Sequence, residues 1–158
     1  MSASSATTPR ARAVAGAEPA VLRGAMALFA LYYAGIGLWM AISPHTFYTA
    51  LGPFETRNDH YLRDTATFQI AIGVGLWIAV SRPAWRVPML TISVVQFALH
   101  SVNHLVDISR AHPAWTGYFD FFSLTLSTVL IIGLLRLAAA DRSAERLPRR
   151  LRMKGAQR

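Results

Sequence analysis

Five polar side chains recur along one apolar segment of this chain, between positions 87 and 107. They are Gln96, His100, Asn103, His104 and Asp107, spaced i, i+4, i+7, i+8 and i+11. At 3.6 residues per turn, this spacing places all five on one face of a helix. The other residues are mainly Leu, Ile, Val, Phe, Met and Ala. Polar groups are costly in lipid, so the pattern predicts that they face protein or a cavity.

The two histidines suggest metal chemistry, because imidazoles four residues apart can bind one ion from a single helix face. Carboxylates on neighbouring helices could complete the coordination. The predicted ligands are His100, His104, Asp64 and Asp120. The residues predicted to orient the imidazoles, or to contact a bound cofactor, are Asn103, Asp107 and His60. Zinc, iron and manganese all suit this set, and no Glu of the metalloprotease motif stands between the histidines.

The same residues allow two other interpretations. In the first, the aspartates pair with the histidines, Gln96 and Asn103 use the remaining hydrogen bonds, and no ion is needed. In the second, the histidines and aspartates pass protons or a solute across the bundle. A metal-dependent enzyme acting on a lipid-soluble substrate is a further possibility, and it needs an open coordination position and a reachable cavity.

The composition indicates an integral membrane protein. Of the 158 residues, 53% are hydrophobic and only 15% are charged, whereas a soluble domain has about 25% charged residues. The net charge of +8 is concentrated near the chain ends, where it sets membrane orientation and gives no reason to expect nucleic-acid binding. The absence of cysteine excludes disulfides and thiolate ligands from this chain.

The hydropathy pattern predicts an all-α fold, a bundle of four transmembrane helices. The helices are expected at about 23–43, 60–80, 87–107 and 115–137, within a domain spanning 21–140. Each apolar run approaches the roughly 20 residues needed to cross the hydrocarbon core. Residues 1–20 are predicted to be a disordered tail, 44–63 a loop and 141–158 a basic cytoplasmic tail.

Basic residues in the flanks predict the orientation. Arg residues without nearby acids occur at both termini and at 81–86, so these regions are expected in the cytoplasm of a multi-pass cell-membrane protein. Asp64, the segment with the histidines and Asp120 then share the outer half of the bundle. The expected partners are the lipid bilayer and either a second copy or another membrane protein. Ala71 and Gly75 are expected at a helix contact, and Gln69 is expected to face a different neighbour from Asp64.

The chain resembles the broad DoxX-like set of small bacterial four-helix membrane proteins over about residues 22–138. The resemblance rests on the four-span layout and on the stretches Tyr33…Gly37-Leu-Trp39…Pro44, Leu62-Arg-Asp64 and Gly73-x-Gly75-Leu. The His-x-x-Asn-His-Leu-x-Asp stretch at 100–107 looks like a feature of a narrower group. The resemblance implies membrane location and a redox association, and it transfers no catalytic residue.

The function expected from the sequence is therefore a small membrane protein with an outward-facing His/carboxylate pocket. The pocket would bind a metal ion or a small ligand and would serve a redox or envelope system. The alternatives are a structural subunit with a hydrogen-bonded polar cluster, a metal-dependent membrane enzyme and a small transporter.

Overall fold

The computed structural model describes the backbone of residues 9–155 and the side chains of residues 20–143. This part of the chain forms five helices and no strand. They are α1 (Pro9–Ile42), α2 (Pro44–Ala50), α3 (Asp59–Ser81), α4 (Pro83–Val106) and α5 (Ala114–Gly155). The predicted all-α class is confirmed for the described residues.

Four of the helices contain segments long and apolar enough to cross a membrane. The segments are Ala20–Ile42, Asp59–Ser81, Pro83–Val106 and Ala114–Ser143. Their outward faces carry large apolar side chains, such as Leu28, Phe68, Leu99 and Leu126. Soluble monomers rarely expose apolar patches of this extent, so the surface is suited to lipid contact. The architecture is compatible with a small multi-pass integral membrane protein.

Small residues bring α1 and α3 into close contact. A Cβ atom added at Gly73 would lie 2.8 Å from the Ala34 nitrogen and 2.9 Å from the Ala30 oxygen. One added at Gly37 would lie 3.0 Å from the Ala66 oxygen. Both glycines therefore let the two backbones approach, as small residues do in membrane helix pairs. The predicted helix contact at Ala71 and Gly75 is not the observed one, because the α1 contact lies on the Gly73 side of α3. Gly75 instead packs on Met89 of α4, and Ala71 is exposed.

A buried arginine closes the end of the bundle at which α3 meets α4. Arg82 alone joins the two helices, so the observed connection is shorter than the predicted one at 81–86. Arg86 therefore lies inside α4. The Arg86 guanidinium is 8% exposed and donates to the Ala79 and Val80 carbonyls at 3.4 Å. It also pairs with Asp141 of α5 at 3.4 Å. These contacts join three helices at this end.

Two loops and α2 cover the opposite end. His112 donates its backbone N–H to the Pro53 carbonyl at 3.1 Å, and Phe54 forms a β-bridge with Ala111. Arg110 pairs with Glu55 at 2.7 Å. The segment 51–58 is therefore fastened to the segment 107–113. We call these two segments together with α2 the roof.

The observed helix boundaries differ from the predicted ones at charged residues and at proline. The chain at 44–63 contains α2, because Pro44 at its first turn is compatible with a helix start. Helix α1 begins at Pro9 and α5 continues to Gly155, since Ala, Arg and Glu favour helix even where they end a membrane span. Residues 1–8 of the predicted tail lie outside the described residues. The predicted Asn58 cap of α3 is confirmed by its bonds to the His60 and Tyr61 N–H groups.

Candidate functional site

A cavity of about 640 Å³ lies between the helices beneath the roof. This volume is within the range of roughly 300–1,000 Å³ that is typical of small-molecule sites. Seven of its 24 lining residues are aromatic: Tyr32, Phe47, Tyr48, Phe54, Tyr61, Phe97 and Phe119. The polar groups on α3, α4 and α5 are Thr65, Gln69, Gln96, His100, His104, Asp120, Ser123 and Ser127. The cavity thus combines an apolar wall with a few polar groups.

The cavity exists because the helices associate as two pairs. Helix α1 packs along α3 and α4 packs along α5, whereas α1 and α5 touch only briefly. Tyr32 of α1 and Phe119 of α5 both line the cavity, and they are 47% and 51% exposed. Two residues of the cavity wall, one on each of these helices, are therefore about half-exposed on the lipid-facing surface.

A chain of polar side chains crosses from α1 to α5 along the cavity wall. The Tyr33 hydroxyl donates to Gln96 Oε1 at 3.0 Å, and Gln96 Nε2 lies 3.4 Å from His100 Nδ1. His100 Nε2 lies 3.0 Å from His104 Nε2. On its far side, His104 Nδ1 lies 3.9 Å from Asp120 Oδ2. Three helices thus contribute to one continuous polar path.

The donors in this chain all point toward Asp120. Since Tyr33 donates to the Gln96 oxygen, the Gln96 amide nitrogen faces His100, and an amide nitrogen only donates. His100 Nδ1 therefore accepts, and a neutral His100 carries its proton on Nε2 and donates to His104. His104 in turn carries its proton on Nδ1, which faces the Asp120 carboxylate. The arrangement needs no charge on either histidine.

The last step of this chain is not a hydrogen bond. The distance of 3.9 Å between His104 Nδ1 and Asp120 Oδ2 exceeds hydrogen-bonding range. Both atoms are buried, and neither has a hydrogen-bond partner within the described part of the chain. Asp120 is only 9% exposed and lines the cavity. The polar network therefore leaves two buried polar atoms unsatisfied, and the Asp120 and His104 residues to which they belong both line the cavity.

The roof contacts this part of the site directly. The Phe54 ring packs edge-on against the His104 ring, with centroids 4.9 Å apart. The His100 and His104 rings lie 4.7 Å apart. Phe54 thus covers one side of the imidazole pair and links the position of the roof to the orientation of His104.

The structure brings together three of the four predicted ligands. His100, His104 and Asp120 share the cavity wall, as the sequence predicted from their depth. Asp64 lies apart, on an exposed face of α3, where its carboxylate pairs with His60 at 3.4 Å. Their side chains are 58% and 78% exposed, because both sit in the first turns of α3 and face away from the cavity.

The other two predicted orienting residues also lie outside the cavity wall. Asn103 is exposed on α4, although it shares the broad polar face of the helix. Asp107 ends that helix and pairs with Arg110 at 3.4 Å. Neither is among the residues lining the cavity; Gln96 and Phe54 contact His100 and His104 respectively, and the Asp120 carboxylate lies 3.9 Å from His104.

The geometry does not assemble the expected metal ligands around one point. His104 directs Nε2 at His100 and Nδ1 at Asp120, so its two partners lie on opposite sides of the ring. Among the described residues, no group of three or more His, Cys, Asp or Glu side chains has the arrangement of a metal site. The metal hypothesis gains no geometric support and stays a prediction.

Sequence reasoning missed two contributors. Gln69 is 9% exposed and faces α1, as expected from its different side of α3, and a Cβ atom added at Gly37 would lie 3.0 Å from its Cβ atom; its place in the cavity lining beside the histidines was not predicted. Tyr33 is 1% exposed and donates to the Gln96 amide from another helix, so no spacing within α4 connects the two residues. A buried tyrosine hydroxyl in the middle of a helix requires a hydrogen-bond partner, and this requirement could have indicated the role of Tyr33.

Comparison of this chain with protein-family models, with curated proteins and with solved structures finds no match. The resemblance to the DoxX-like set therefore stays a prediction, as does the redox association that it implies.

Proposed function

We propose that this chain is a small integral membrane protein that binds one lipid-soluble small molecule in the cavity beneath the roof. The observation that carries the proposal is the Asp120 carboxylate, which is 9% exposed, lines a cavity of about 640 Å³ and lies no closer than 3.9 Å to the one side chain it faces, His104. Buried polar groups in proteins nearly always have hydrogen-bond partners. A ligand head group that bonds to Asp120 would satisfy this requirement.

The surroundings of the cavity indicate the kind of molecule. Half of its lining residues are aromatic or aliphatic, and two of them, Tyr32 and Phe119, are about half-exposed on a surface suited to lipid. A molecule with an apolar body and one polar head fits both features, because it would partition into the bilayer and enter sideways. The cavity lies in the half of the bundle that we place on the outer side from the distribution of arginines.

A purely structural network accounts for less of the site. The bonds from Tyr33 through Gln96 and His100 to His104 fix the relative positions of α1 and α4, as that interpretation requires. They leave the Asp120 end of the chain unpaired and the cavity beside it open. Metal binding by His100, His104 and Asp120 would need His104 to rotate, since one nitrogen of each ring must point at a common ion.

The test fills the cavity by mutation. Ser127 lines the cavity on α5, whereas its neighbour Leu126 is 60% exposed on the lipid-facing side. Binding of 4-phenylbutanol to detergent-solubilised protein is measured by isothermal titration calorimetry in the wild type, Ser127→Phe and Leu126→Phe. We expect saturable binding at one site per chain in the wild type and in Leu126→Phe, and at least a tenfold loss in Ser127→Phe. Equal binding by all three proteins would place the alcohol in the detergent or on the surface and would overturn the proposal.

A further inference from the structure

We infer that the ligand is an organic cation, a lipophilic amine whose ammonium group pairs with Asp120. The inference rests on the proposed function and specifies the charge of the ligand. It is drawn from the balance of charges around the cavity, from the direction of the polar chain and from the aromatic wall.

The charge balance leaves one negative group. Asp120 is the only carboxylate among the residues that line the cavity, and Arg57 is the only permanently charged cation among them. The Arg57 Nε atom lies 2.8 Å from the Asp59 carboxylate, so the positive charge of Arg57 is already compensated. No Lys or Arg side chain in the described part of the chain forms an ion pair with Asp120.

The histidines do not supply the missing positive charge. With the Gln96 amide oriented as its bond from Tyr33 has it, the order of contacts from Tyr33 to His104 is satisfied by a neutral tautomer of each imidazole, with the His104 N–H on the Asp120 side. At 3.9 Å from Asp120 Oδ2, a neutral His104 makes no hydrogen bond to the carboxylate and brings no charge to it. Since a buried carboxylate is strongly destabilised unless it is paired, the site favours a ligand that brings one positive charge.

The rest of the wall is also suited to a cation with an apolar body. Aromatic faces attract ammonium groups, and the strength of the attraction grows when water is excluded. The rings of Tyr32, Phe97, Phe54 and Phe119 all line the cavity that contains Asp120. Tyr32 and Phe97 stack with ring centroids 6.4 Å apart and an angle of 27° between ring planes, so the two rings adjoin at the cavity surface. An alkyl or aryl body can pack on this surface while its ammonium group reaches the carboxylate.

The test compares two probes of nearly equal size, 4-phenylbutylamine and 4-phenylbutanol. The amine is protonated at pH 7, as an alkylamine with a pKa near that of Lys would be, and the alcohol is neutral. Calorimetric titration of the wild-type protein in a non-ionic detergent gives both affinities. We expect the amine to bind at least tenfold more tightly than the alcohol. This comparison needs no variant, so it holds even where a substitution prevents folding.

The variants then assign the preference to one carboxylate. Asp120→Asn keeps the shape of the side chain and removes its charge, and should weaken the amine by roughly 30-fold or more while changing the alcohol by less than threefold. Asp64→Asn is the matched control, because Asp64 is exposed on α3 and pairs with His60. It should leave both probes unchanged.

The outcomes separate this inference from the proposed function. If the alcohol binds in the cavity as tightly as the amine, and Asp120→Asn affects both equally, the cavity binds ligands but the cation assignment is wrong. If Asp64→Asn weakens the amine as much as Asp120→Asn does, the counter-ion is not Asp120. If neither probe binds the wild type, the proposed function fails and the cation assignment fails with it.

Discussion

Replacing Gly73 by alanine should destabilise the bundle, although alanine is the better helix former. The new Cβ atom would lie 2.8 Å from the Ala34 nitrogen, about 0.6 Å short of an ordinary van der Waals contact of 3.4 Å. The nearest atoms are in the backbone of α1, so relief requires the two helices to separate. Overpacking of this kind costs roughly 1–3 kcal/mol, and the helix propensity of alanine offsets up to about 1 kcal/mol.

Gly35 provides the matched control on the partner helix. It is exposed, and a Cβ atom there would meet nothing within 4 Å. Gly35→Ala should therefore leave stability unchanged or raise it by up to about 1 kcal/mol. The assay is reversible unfolding in mixed detergent micelles, followed by circular dichroism. Equal stability of the Gly73→Ala and Gly35→Ala proteins would show that α1 and α3 are not packed as closely as the structure has them.

Two further predictions concern orientation and the closed end of the bundle. Since the chain has no cysteine, single cysteines can be introduced at the exposed positions Ala84 and Ser109 and labelled with an impermeant thiol reagent in intact cells. Only the Ser109→Cys protein should react. Reaction of the Ala84→Cys protein alone would show that the orientation is the reverse of the predicted one. Arg86→Leu should lower the free energy of unfolding by roughly 1–3 kcal/mol, because it leaves buried carbonyls and Asp141 without their donor. Arg136→Leu should change it by less than about 1 kcal/mol, since Arg136 is exposed. A similar loss in both arginine variants, measured by unfolding in detergent, would contradict the assignment of Arg86 as the buried link.

The sequence predicts the four long helices well, because each apolar run is long enough to have only one interpretation in a membrane. It predicts which residues share a face of each helix, but not which face turns inward. Asp64 and Gln69 show the difference: both are polar and about 140° apart on α3 by the 100° step per residue, and the inward one is Gln69. The choice depends on where α1 contacts α3, at Gly73, and this contact is a property of two helices together.

The site could be anticipated only in part for the same reason. The i, i+4 spacing places His100 and His104 side by side, and the topology brings Asp120 to the same depth. The order of hydrogen bonds depends on Tyr33 holding the Gln96 amide from another helix, which no spacing within α4 reveals. The cavity itself depends on α1 and α5 remaining apart beneath the roof, and the roof contains a helix that Pro44 and its neighbours did not predict.

The most direct measurement is an experimental structure of the wild-type protein with 4-phenylbutylamine bound. The account predicts one probe molecule in the cavity beneath the roof, with its nitrogen about 2.7–2.9 Å from a carboxylate oxygen of Asp120 and its ring against the aromatic wall. A probe bound only at the lipid-facing surface, or a cavity filled by the protein's own side chains with Asp120 bonded directly to His104, would contradict it.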